Sequence, residues 1–353
     1  MAKSVFTGVK ISGIAGAVPK SRVDNLADHR FCPEEDRKKI LALTKVAEYR
    51  KAPPAMCASD LCQASAEALF TGLDRRPEEI EAIVFATMTG DYRVPSTACL
   101  LQDRLKCRTT TIAYDIHMGC SGFVVGLYNA CSLIQGAGLK KVLLLAGDTQ
   151  TKLCYDQDKN VVFILGDGGT ATLLEADASA DEIVIELMTD GSRFQNLYVP
   201  AGGFRYPSTD ATREVREQPD GGMRSEEHLY MNGMEIFKFS VTDVVKTIAG
   251  FMEAEKILPD ETDFLFLHQA NGFMNEKISR KLKFPDEKVP CTIGFYGNTG
   301  SASIPLTMAH HFSSKAVLGR ARCLLSGFGV GLSWGVAAAT LGSVYCPPVL
   351  ELS

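Results

Sequence analysis

The sequence has no cysteine pattern that would hold a zinc ion or a disulfide framework. Its 11 cysteines are scattered, their number is odd, and none forms a C-x-x-C pair. Paired spacings are typical of zinc sites and of disulfide-rich secreted domains. We therefore expect no metal, and we expect a reducing, cytoplasmic setting.

Long apolar runs and basic runs are also missing. No segment reaches roughly 18 uninterrupted apolar residues, the length that a membrane-spanning helix needs. Residues 1–20 lack the apolar core and cleavage site of a signal peptide, and we expect them to form a first strand and turn. The net charge is −5 and no Lys/Arg run supplies a basic stripe. We expect neither a membrane nor a nucleic acid as partner.

Nucleotide-binding loops are not indicated either. No G-x-G-x-x-G follows a predicted strand with an acidic residue about 20 positions on, as a dinucleotide site requires. The glycine-rich stretch LGDGGTA (165–171) lacks the lysine of a phosphate-binding loop. We therefore expect no cofactor.

Short apolar runs rich in β-branched residues alternate with longer amphipathic stretches along the chain. The runs that predict buried strands are 81–89, 141–149, 170–177, 263–271 and 322–331. The stretches that predict helices are 58–73, 96–106, 121–138, 237–257 and 272–284. This alternation predicts an α/β fold with largely parallel sheets.

The two halves of the chain resemble each other weakly. LGDGGTATLLEA (165–176) and FGVGLSWGVAAATL (328–341) are the clearest pair, which favours an internal duplication. Residues 200–225 are rich in glycine and proline. That composition predicts a long loop, either a lid over a pocket or a plain surface loop.

Cys120 stands out among the cysteines because small residues surround it. In GCSGF, residues 119–123, the neighbours permit a sharp strand-to-helix turn, and a helix is predicted to follow. The positive end of that helix would favour the nucleophilic thiolate. From this segment alone, a buried structural cysteine is the alternative.

Other polar residues occupy positions where ligands gather in α/β folds. His268 ends the apolar run DFLFLHQAN, and Asn298 lies in the tight turn GNTG. A histidine can also be buried in a core with its hydrogen bonds satisfied. An asparagine in such a turn is often there because it tolerates left-handed backbone angles. The turn FGVGLSWG (328–335) has backbone N–H groups that, with the N–H of Cys120, would suit an oxyanion hole.

Taken in order, these motifs resemble the thiolase superfamily, and within it the β-ketoacyl-[acyl carrier protein] synthase III family. The stretches that carry the resemblance cover nearly the whole chain: ISGIAGAVPKSRVDN, RVPSTACLLQDRL, DIHMGCSGF, GDGGTATLL, MNGMEIFKFSV, LHQAN, GFYGNTGSASIP and GFGVGLSWG. The resemblance implies a five-layer αβαβα sandwich of two similar βαβαβαββ halves, usually a homodimer. The halves would be residues 1–177 and 178–353.

The resemblance also implies roles for individual residues. Cys120 would attack an acyl thioester and hold the acyl group. His268 and Asn298 would stabilise the enolate that forms when a malonyl thioester loses carbon dioxide. The backbone N–H groups of Cys120 and Val330 would form the oxyanion hole. The acyl thioester would be carried on an acyl carrier protein or on coenzyme A.

The sequence departs from the family pattern where relatives grip coenzyme A. The early Trp and Arg that sandwich the adenine match Lys39 and Leu43 approximately, and a later Arg matches Phe273. A further Arg is replaced in DKNVVFILGDG. Losing a cation–π sandwich would cost on the order of 1–2 kcal/mol of binding. We therefore favour a donor carried on a protein, or another mode of coenzyme A binding.

A second departure is Val94, where relatives often place an aromatic residue that reaches into the partner's acyl pocket across the dimer. The smaller valine predicts a pocket that accepts more than acetyl. Both departures favour a pathway-specific member rather than the initiator of general fatty-acid synthesis. Relatives of that kind start polyketides, condense acyl chains, or transfer acyl groups to oxygen or nitrogen.

Decarboxylative condensation is the leading functional hypothesis, and two alternatives remain open. One is acyl transfer to an alcohol or amine without decarboxylation, with His268 as general base. The other is a non-catalytic partner subunit, although such subunits usually lose one or more of Cys120, His268 and Asn298, and all are present here.

Overall fold

The structure is a computed structural model that describes residues 3–313 and 319–353. Its strands are β1 (Lys3–Phe6), β2 (Val9–Pro19), β3 (Arg22–Asp24), β4 (Glu48–Arg50), β5 (Ala82–Ala86), β6 (Ile112–Ile116), β7 (Lys141–Thr149), β8 (Asp167–Ala176), β9 (Ile183–Thr189), β10 (Leu197–Tyr198), β11 (Arg216–Glu217), β12 (Met223–Arg224), β13 (Tyr230–Met231), β14 (Phe264–Leu267), β15 (Ala321–Gly329), β16 (Ser333–Leu341) and β17 (Leu350–Leu352). Its helices are α1 (Glu34–Thr44), α2 (Ala58–Gly72), α3 (Thr97–Arg104), α4 (Gly122–Ala137), α5 (Asp210–Arg213), α6 (Gly233–Phe239), α7 (Val245–Ala254), α8 (Gly272–Lys281), α9 (Ile293–Tyr296) and α10 (Ser303–Ser313). Within these described ranges, no helix is long and apolar enough to cross a membrane.

Two sheets organise the molecule into layers. One sheet has the strand order β17-β2-β8-β7-β5-β6, and the other has the order β1-β9-β16-β15-β14. Helices α4 and α10 lie between the sheets and contact both. Helices α2 and α3 cover the outer face of the first sheet, and α7 and α8 cover that of the second. The predicted five-layer αβαβα sandwich is confirmed.

The prediction of largely parallel sheets is wrong, because both sheets are mixed. Strand β5 runs parallel to β6 and β7, and β14 runs parallel to β15. Strand β16 instead runs antiparallel to both β15 and β9. Only residues 330–332 join β15 to β16, and so short a link permits only an antiparallel pair.

The first and last strands each lie in the sheet formed mainly by the other half of the chain. Strand β1 pairs with β9 in the five-stranded sheet, and β17 pairs with β2 in the six-stranded sheet. The chain passes from one sheet to the other between β8 and β9. The division into residues 1–177 and 178–353 stays a prediction.

Burial explains why the central elements are so apolar. Every residue of β5, with the sequence AIVFA, is buried, because helices cover both faces of its sheet. Helix α4 carries apolar residues on most of its surface, since sheets lie on both sides of it. The left-handed Gly138 ends the helix. This packing brings the carboxyl ends of β5, β7, β14 and β15 to the region where α4 begins.

The glycine- and proline-rich stretch 200–225 contains more regular structure than predicted. It includes α5 and a short hairpin, in which Arg216 of β11 pairs with Arg224 of β12. The buried guanidinium of Arg224 forms ion pairs with Asp158 at 3.3 Å and with Asp220 at 2.6 Å. These ion pairs hold the hairpin against the loop that precedes β8.

Candidate active site

Cys120 lies in the turn between β6 and α4, at the N-terminal end of the helix. A Cβ on Gly119, the residue before it, would lie 2.3 Å from Sδ of Met88 and 2.9 Å from Cγ1 of Val330, so a larger residue there would displace these side chains. Cys120 itself is 7% exposed, so its sulfur lies inside the protein. The strand, turn and helix predicted around Cys120 are present.

Burial dominates the ionisation of this thiol. It raises the pKa of Cys120 to about 11, and the negative charge of Asp148 acts in the same direction. Hydrogen bonds from the backbone N–H groups of Val330 and of Cys120 itself oppose the shift only in part. The backbone N–H group at the helix end therefore acts in the predicted direction, but removal from water disfavours the charged form more strongly in the free protein.

The glycine-rich turn at residues 330–332 lies directly beside the thiol. A Cβ on Gly329 would lie 2.6 Å from Sγ of Cys120, so no larger residue fits there. After the turn, the hydroxyl of Ser333 donates to the carbonyl of Val330 at 2.8 Å, and its oxygen lies 2.6 Å from Oγ of Ser121. These bonds fasten the turn to the start of α4 and hold the Val330 N–H against the sulfur.

His268 follows β14 and is buried, with 1% of its surface exposed. Its Nδ1 lies 2.7 Å from Oγ of Ser303, and its backbone N–H donates to the carbonyl of Ser326. Burial lowers the pKa of His268 to about 3, and a hydrogen bond with the backbone of Gly300 opposes this shift only partly. The imidazole is therefore neutral at physiological pH.

Hydrogen bonds around Ser303 allow a tautomer of His268 with its proton on Nε2. The backbone N–H of Gln269 donates to Oγ of Ser303 at 3.4 Å. With the Ser303 hydroxyl donating to Nδ1 of His268, 2.7 Å away, the ring proton lies on Nε2. The ring can thus act as a neutral donor through Nε2.

Asn298 lies in the turn between α9 and α10 and is 7% exposed. Its Oδ1 accepts a hydrogen bond from the N–H of Gly300 at 3.0 Å, which leaves the amide Nδ2 as its donor. The left-handed residues of this turn are Gly297, with φ of 69°, and Gly300, with φ of 61°. Asn298 is therefore not explained by tolerance of left-handed backbone angles.

A continuous set of contacts joins the side chains that the sequence singled out. Gly329 lies against Cys120. The ring of Phe328, which precedes Gly329, lies 5.5 Å from the ring of His268. The backbone of Gly300 then bonds both to the ring of His268 and to Oδ1 of Asn298. The fold thus gathers residues from both halves of the sequence at one place.

Val94 does not join this group within one protomer. It is 81% exposed, in the loop between β5 and α3. Other exposed apolar residues nearby are Tyr92, at 64%, and Phe204, at 90%. A hydrogen bond of 2.7 Å from Arg93 to the carbonyl of Gly202 joins the loop of Tyr92 and Val94 to the loop of Phe204. A role for Val94 in a partner's acyl pocket stays a prediction.

The positions that depart from the coenzyme A pattern lie on the surface or in an aromatic stack. On α1, the side chain of Lys39 pairs with Asp36, and Leu43 is 57% exposed. The ring of Phe273 stacks on Phe237 with centroids 5.6 Å apart. The ammonium group of Lys277 lies 5.1 Å from the centroid of Phe273, so the positive charge here comes from a residue one helical turn later.

Several buried polar residues beside the site were missed by sequence reasoning. Asp148, at the end of β7, has none of its surface exposed, and Ser301 and Ser303 are almost as deeply buried. A carboxylate that ends the otherwise apolar run KVLLLAGD was the available signal for Asp148. The serines gave no comparable signal, because small polar residues are common after a glycine turn.

Across residues 3–313 and 319–353, no group of three or more His, Cys, Asp or Glu side chains is placed to hold a metal ion. The site therefore consists of a thiol, neutral hydrogen-bond donors and backbone N–H groups. These groups suit acyl transfer, in which a nucleophile attacks a carbonyl and donors meet the negative charge that develops on oxygen.

Family models match both halves of the chain. The model described as 3-oxoacyl-[acyl-carrier-protein (ACP)] synthase III matches residues 114–191, which include Cys120. The model for the C-terminal part of the same proteins matches residues 252–341, which include His268 and Asn298.

Whole-chain relatives agree with these matches. A β-ketoacyl-[acyl-carrier-protein] synthase III from Streptococcus uberis is 33% identical over 94% of this chain and 98% of its own. The crystal structure of a 3-oxoacyl-(acyl-carrier protein) synthase from Burkholderia xenovorans has a TM-score of 0.93 and 34% identity, covering 99% of each chain. A 3-oxoacyl-(acyl carrier protein) synthase III from Pseudomonas aeruginosa has a TM-score of 0.80 and 27% identity, covering 95% of this chain and 99% of its own. The chain belongs to the 3-oxoacyl-[acyl-carrier-protein] synthase III family.

Proposed function

We propose that the chain is a condensing enzyme that extends an acyl group by decarboxylative carbon–carbon bond formation. The observation that carries this proposal is the buried Sγ of Cys120, which lies against Gly329 and whose pKa is lowered in part by the backbone N–H groups of Val330 and Cys120. The acyl group would be held on Cys120 as a thioester, and a malonyl-type thioester would supply the new carbons. Family membership supports the same reaction.

In the loading step, Sγ of Cys120 attacks the carbonyl carbon of the acyl thioester, and the bond from that carbon to the carrier sulfur breaks. The thiol proton leaves with the carrier sulfur, so the step consumes the enzyme thiol and the carrier thioester and forms the enzyme thioester and the carrier thiol. The N–H groups of Cys120 and Val330 would donate to the oxyanion of the tetrahedral intermediate. Because Sγ of the free enzyme is protonated, substrate binding and proton loss would be coupled in this step.

In the condensation step, the malonyl-type thioester loses carbon dioxide and its thioester oxygen becomes an enolate. Nε2 of His268 and Nδ2 of Asn298 would donate to that oxygen. Neutral donors suit this task because they stabilise the negative charge and need no proton transfer. The enolate carbon then attacks the acyl carbonyl, and Sγ of Cys120 leaves and takes up a proton.

Intact-protein mass spectrometry tests the loading step. The purified protein is offered a panel of acyl thioesters, and we expect an acyl adduct on the wild type but none on Cys120→Ala. Cys99→Ala is the matched control, because Cys99 is an exposed cysteine outside the site and its loss should leave the adduct in place. If no donor adds mass at Cys120, the proposed nucleophile is wrong.

Release of carbon dioxide separates condensation from acyl transfer to an alcohol or amine. The acylated enzyme is mixed with a malonyl thioester labelled at its free carboxyl, and the released label is counted. We expect release in proportion to the 3-oxoacyl product. Product formation on an alcohol or amine without release would instead support the acyltransferase alternative, and no turnover of an acylated enzyme would favour the partner-subunit alternative.

We further propose that the acyl donor is carried on an acyl carrier protein rather than on coenzyme A. Phe273 stacks on Phe237 at the position where relatives place an arginine, and Lys39 and Leu43 replace the adenine sandwich. Phe273→Arg should therefore lower the KM for acyl-coenzyme A and leave that for acyl carrier protein nearly unchanged, whereas Phe273→Leu should lower neither. Saturation of the wild type by micromolar acyl-coenzyme A would contradict the proposal.

Two features support a homodimer as the working form. Strand β6 forms an edge of the six-stranded sheet, and Ile112 at its start is 44% exposed. Val94 and Phe204 are also strongly exposed apolar residues. An unpaired edge beside apolar surface favours association with a second copy, and light scattering measures this association directly.

We place the enzyme in the cytoplasm, where its 11 free cysteines stay reduced.

A further inference from the structure

Asp148 is a fully buried carboxylate that takes no part in the chemistry described above. It is the residue before the last of β7 and has no exposed surface. Its Oδ1 accepts hydrogen bonds from the backbone N–H of Met88 at 2.7 Å, the hydroxyl of Thr87 at 3.2 Å and the hydroxyl of Thr89 at 3.4 Å. Its Oδ2 accepts from Ser301, through the backbone N–H at 2.9 Å and the hydroxyl at 2.8 Å.

These bonds join two parts of the active site that come from different halves of the chain. Thr87, Met88 and Thr89 follow β5, and Met88 packs on the turn before Cys120. Ser301 lies in the turn that carries Asn298, and its hydroxyl also lies 3.0 Å from the carbonyl of Ala86. One carboxylate thus fixes the Asn298 turn relative to the loop beside the nucleophile.

A carboxylate suits this position better than an amide. Burial raises the pKa of Asp148, and the uncharged donors named above, which all point at the carboxylate, oppose that shift by hydrogen bonding to its charged form. An ionised carboxylate accepts at both oxygens, whereas an asparagine would turn an NH₂ group toward one set of donors. A glycine is also required beside it, because a Cβ on Gly300 would lie 2.4 Å from Oδ2 of Asp148.

The groups that load Cys120 are held by other bonds. The Val330 turn is fastened by Ser333, which bonds to Val330 and to Ser121 at the start of α4. Asp148 makes neither of those contacts, and its negative charge acts against ionisation of the thiol. The bonds that fasten the Val330 turn therefore do not involve Asp148.

We propose that Asp148 is a positioning residue for the condensation step, which fixes the turn of Asn298 and Gly300 in place while acyl loading proceeds without it. This inference rests on the proposed function, because it assigns the Asn298 turn to decarboxylation. A displacement of about 1 Å in a reacting group can cost on the order of 10²-fold in rate.

The test compares the two half-reactions in Asp148→Asn and Ser301→Ala. Loading is followed as the acyl adduct on Cys120, and condensation as carbon dioxide released after the adduct is complete. In Asp148→Asn we expect condensation to fall on the order of 10²-fold, with loading as fast as in the wild type or faster. Ser301→Ala, which removes only the hydroxyl contact, should show the same separation with a smaller loss.

A readout independent of acyl substrates accompanies these rates. Alkylation of Cys120 by iodoacetamide should shift to lower pH in Asp148→Asn, because a negative charge beside the thiol is gone. Asp167→Asn is the matched control, since Asp167 is equally buried but bonds to Ala52 and Thr151. In that variant, the ratio of the two half-reaction rates should match the wild type.

Parallel loss of loading and condensation in Asp148→Asn and Ser301→Ala would overturn the positioning role, and so would unchanged rates in both. If Asp148→Asn does not fold, Ser301→Ala decides the matter. Failure of the proposed function gives a different result, because the wild type itself would then show no adduct on Cys120 or no carbon dioxide.

Discussion

Gly329 lies so close to Cys120 that a Cβ on the glycine would sit 2.6 Å from the nucleophilic sulfur. The sulfur occupies the space that a side chain would need, on the side where the N–H of Val330 also points. Under the proposed function, Gly329 provides room for a thioester on Cys120, and Val330 provides a hydrogen-bond donor.

Gly329→Ala should abolish acyl loading. The added methyl group must displace Sγ of Cys120 or the Val330 turn, and either movement separates the nucleophile from its donors. The adduct on Cys120 measures the loss, and thermal unfolding measures the accompanying strain. Gly342→Ala is the matched control, because a Cβ there meets nothing within 4 Å. A variant Gly329→Ala that loads at the wild-type rate would contradict the assignment of this turn.

The pH dependence of Cys120 alkylation should report a buried thiol. Burial raises the pKa of Cys120 from 9.0 to about 11, so only the small thiolate fraction reacts at neutral pH. We expect the iodoacetamide rate on the free enzyme to rise about tenfold per pH unit from neutrality up to pH 10. A rate that levels off below pH 8 would show that the helix end activates the thiol after all.

The stability of the protein should also depend on His268 at acid pH. Its folded-state pKa is lowered from 6.5 to about 3, so the folded protein favours the neutral ring. The resulting stability is present above about pH 6.5 and is lost as the pH falls toward 3. The midpoint temperature of thermal unfolding should therefore fall less steeply between pH 7 and pH 4 in His268→Gln than in the wild type. Equal slopes would place the acid sensitivity elsewhere.

Local features of the site could be predicted from the sequence, because they depend on neighbours along the chain. The small residues around Cys120 predicted a turn before a helix, and the structure has that turn between β6 and α4. The polar end of the apolar run 263–271 predicted a position at the carboxyl end of a strand, where His268 is found. Such patterns survive because backbone geometry and side-chain size are local properties.

Properties that depend on distant packing could not be predicted in the same way. The pKa of Cys120 is raised because the whole fold closes over the sulfur, an effect that no local pattern records. The pairing of β1 with β9 joins residues far apart in the sequence, and mixed sheets follow from such pairings. Val94 is exposed in a single protomer, so its surroundings in a dimer lie beyond the information in one chain.

Val94→Phe should narrow the range of acyl groups that the enzyme accepts. If Val94 reaches into the acyl pocket of a partner copy, a larger ring would fill space there, so long acyl groups should lose more loading rate than acetyl. Competition between acyl thioesters, read as adduct masses on Cys120, measures the change. Val5→Phe is the control, since Val5 is an exposed valine on β1. An unchanged chain-length preference would contradict this role for Val94.

Asn298→Ala and Asn298→Asp together separate a catalytic donor from a turn-forming residue. Aspartate keeps the oxygen that accepts the Gly300 N–H, so it should preserve the turn, but it replaces the amide donor with a charged oxygen. If Nδ2 meets the enolate, both variants should load Cys120 normally and lose on the order of 10²–10³-fold in carbon dioxide release. The aspartate variant should lose at least as much as the alanine variant, because a negative charge opposes the enolate. Retained condensation in Asn298→Asp with loss in Asn298→Ala would show that the residue serves the turn alone.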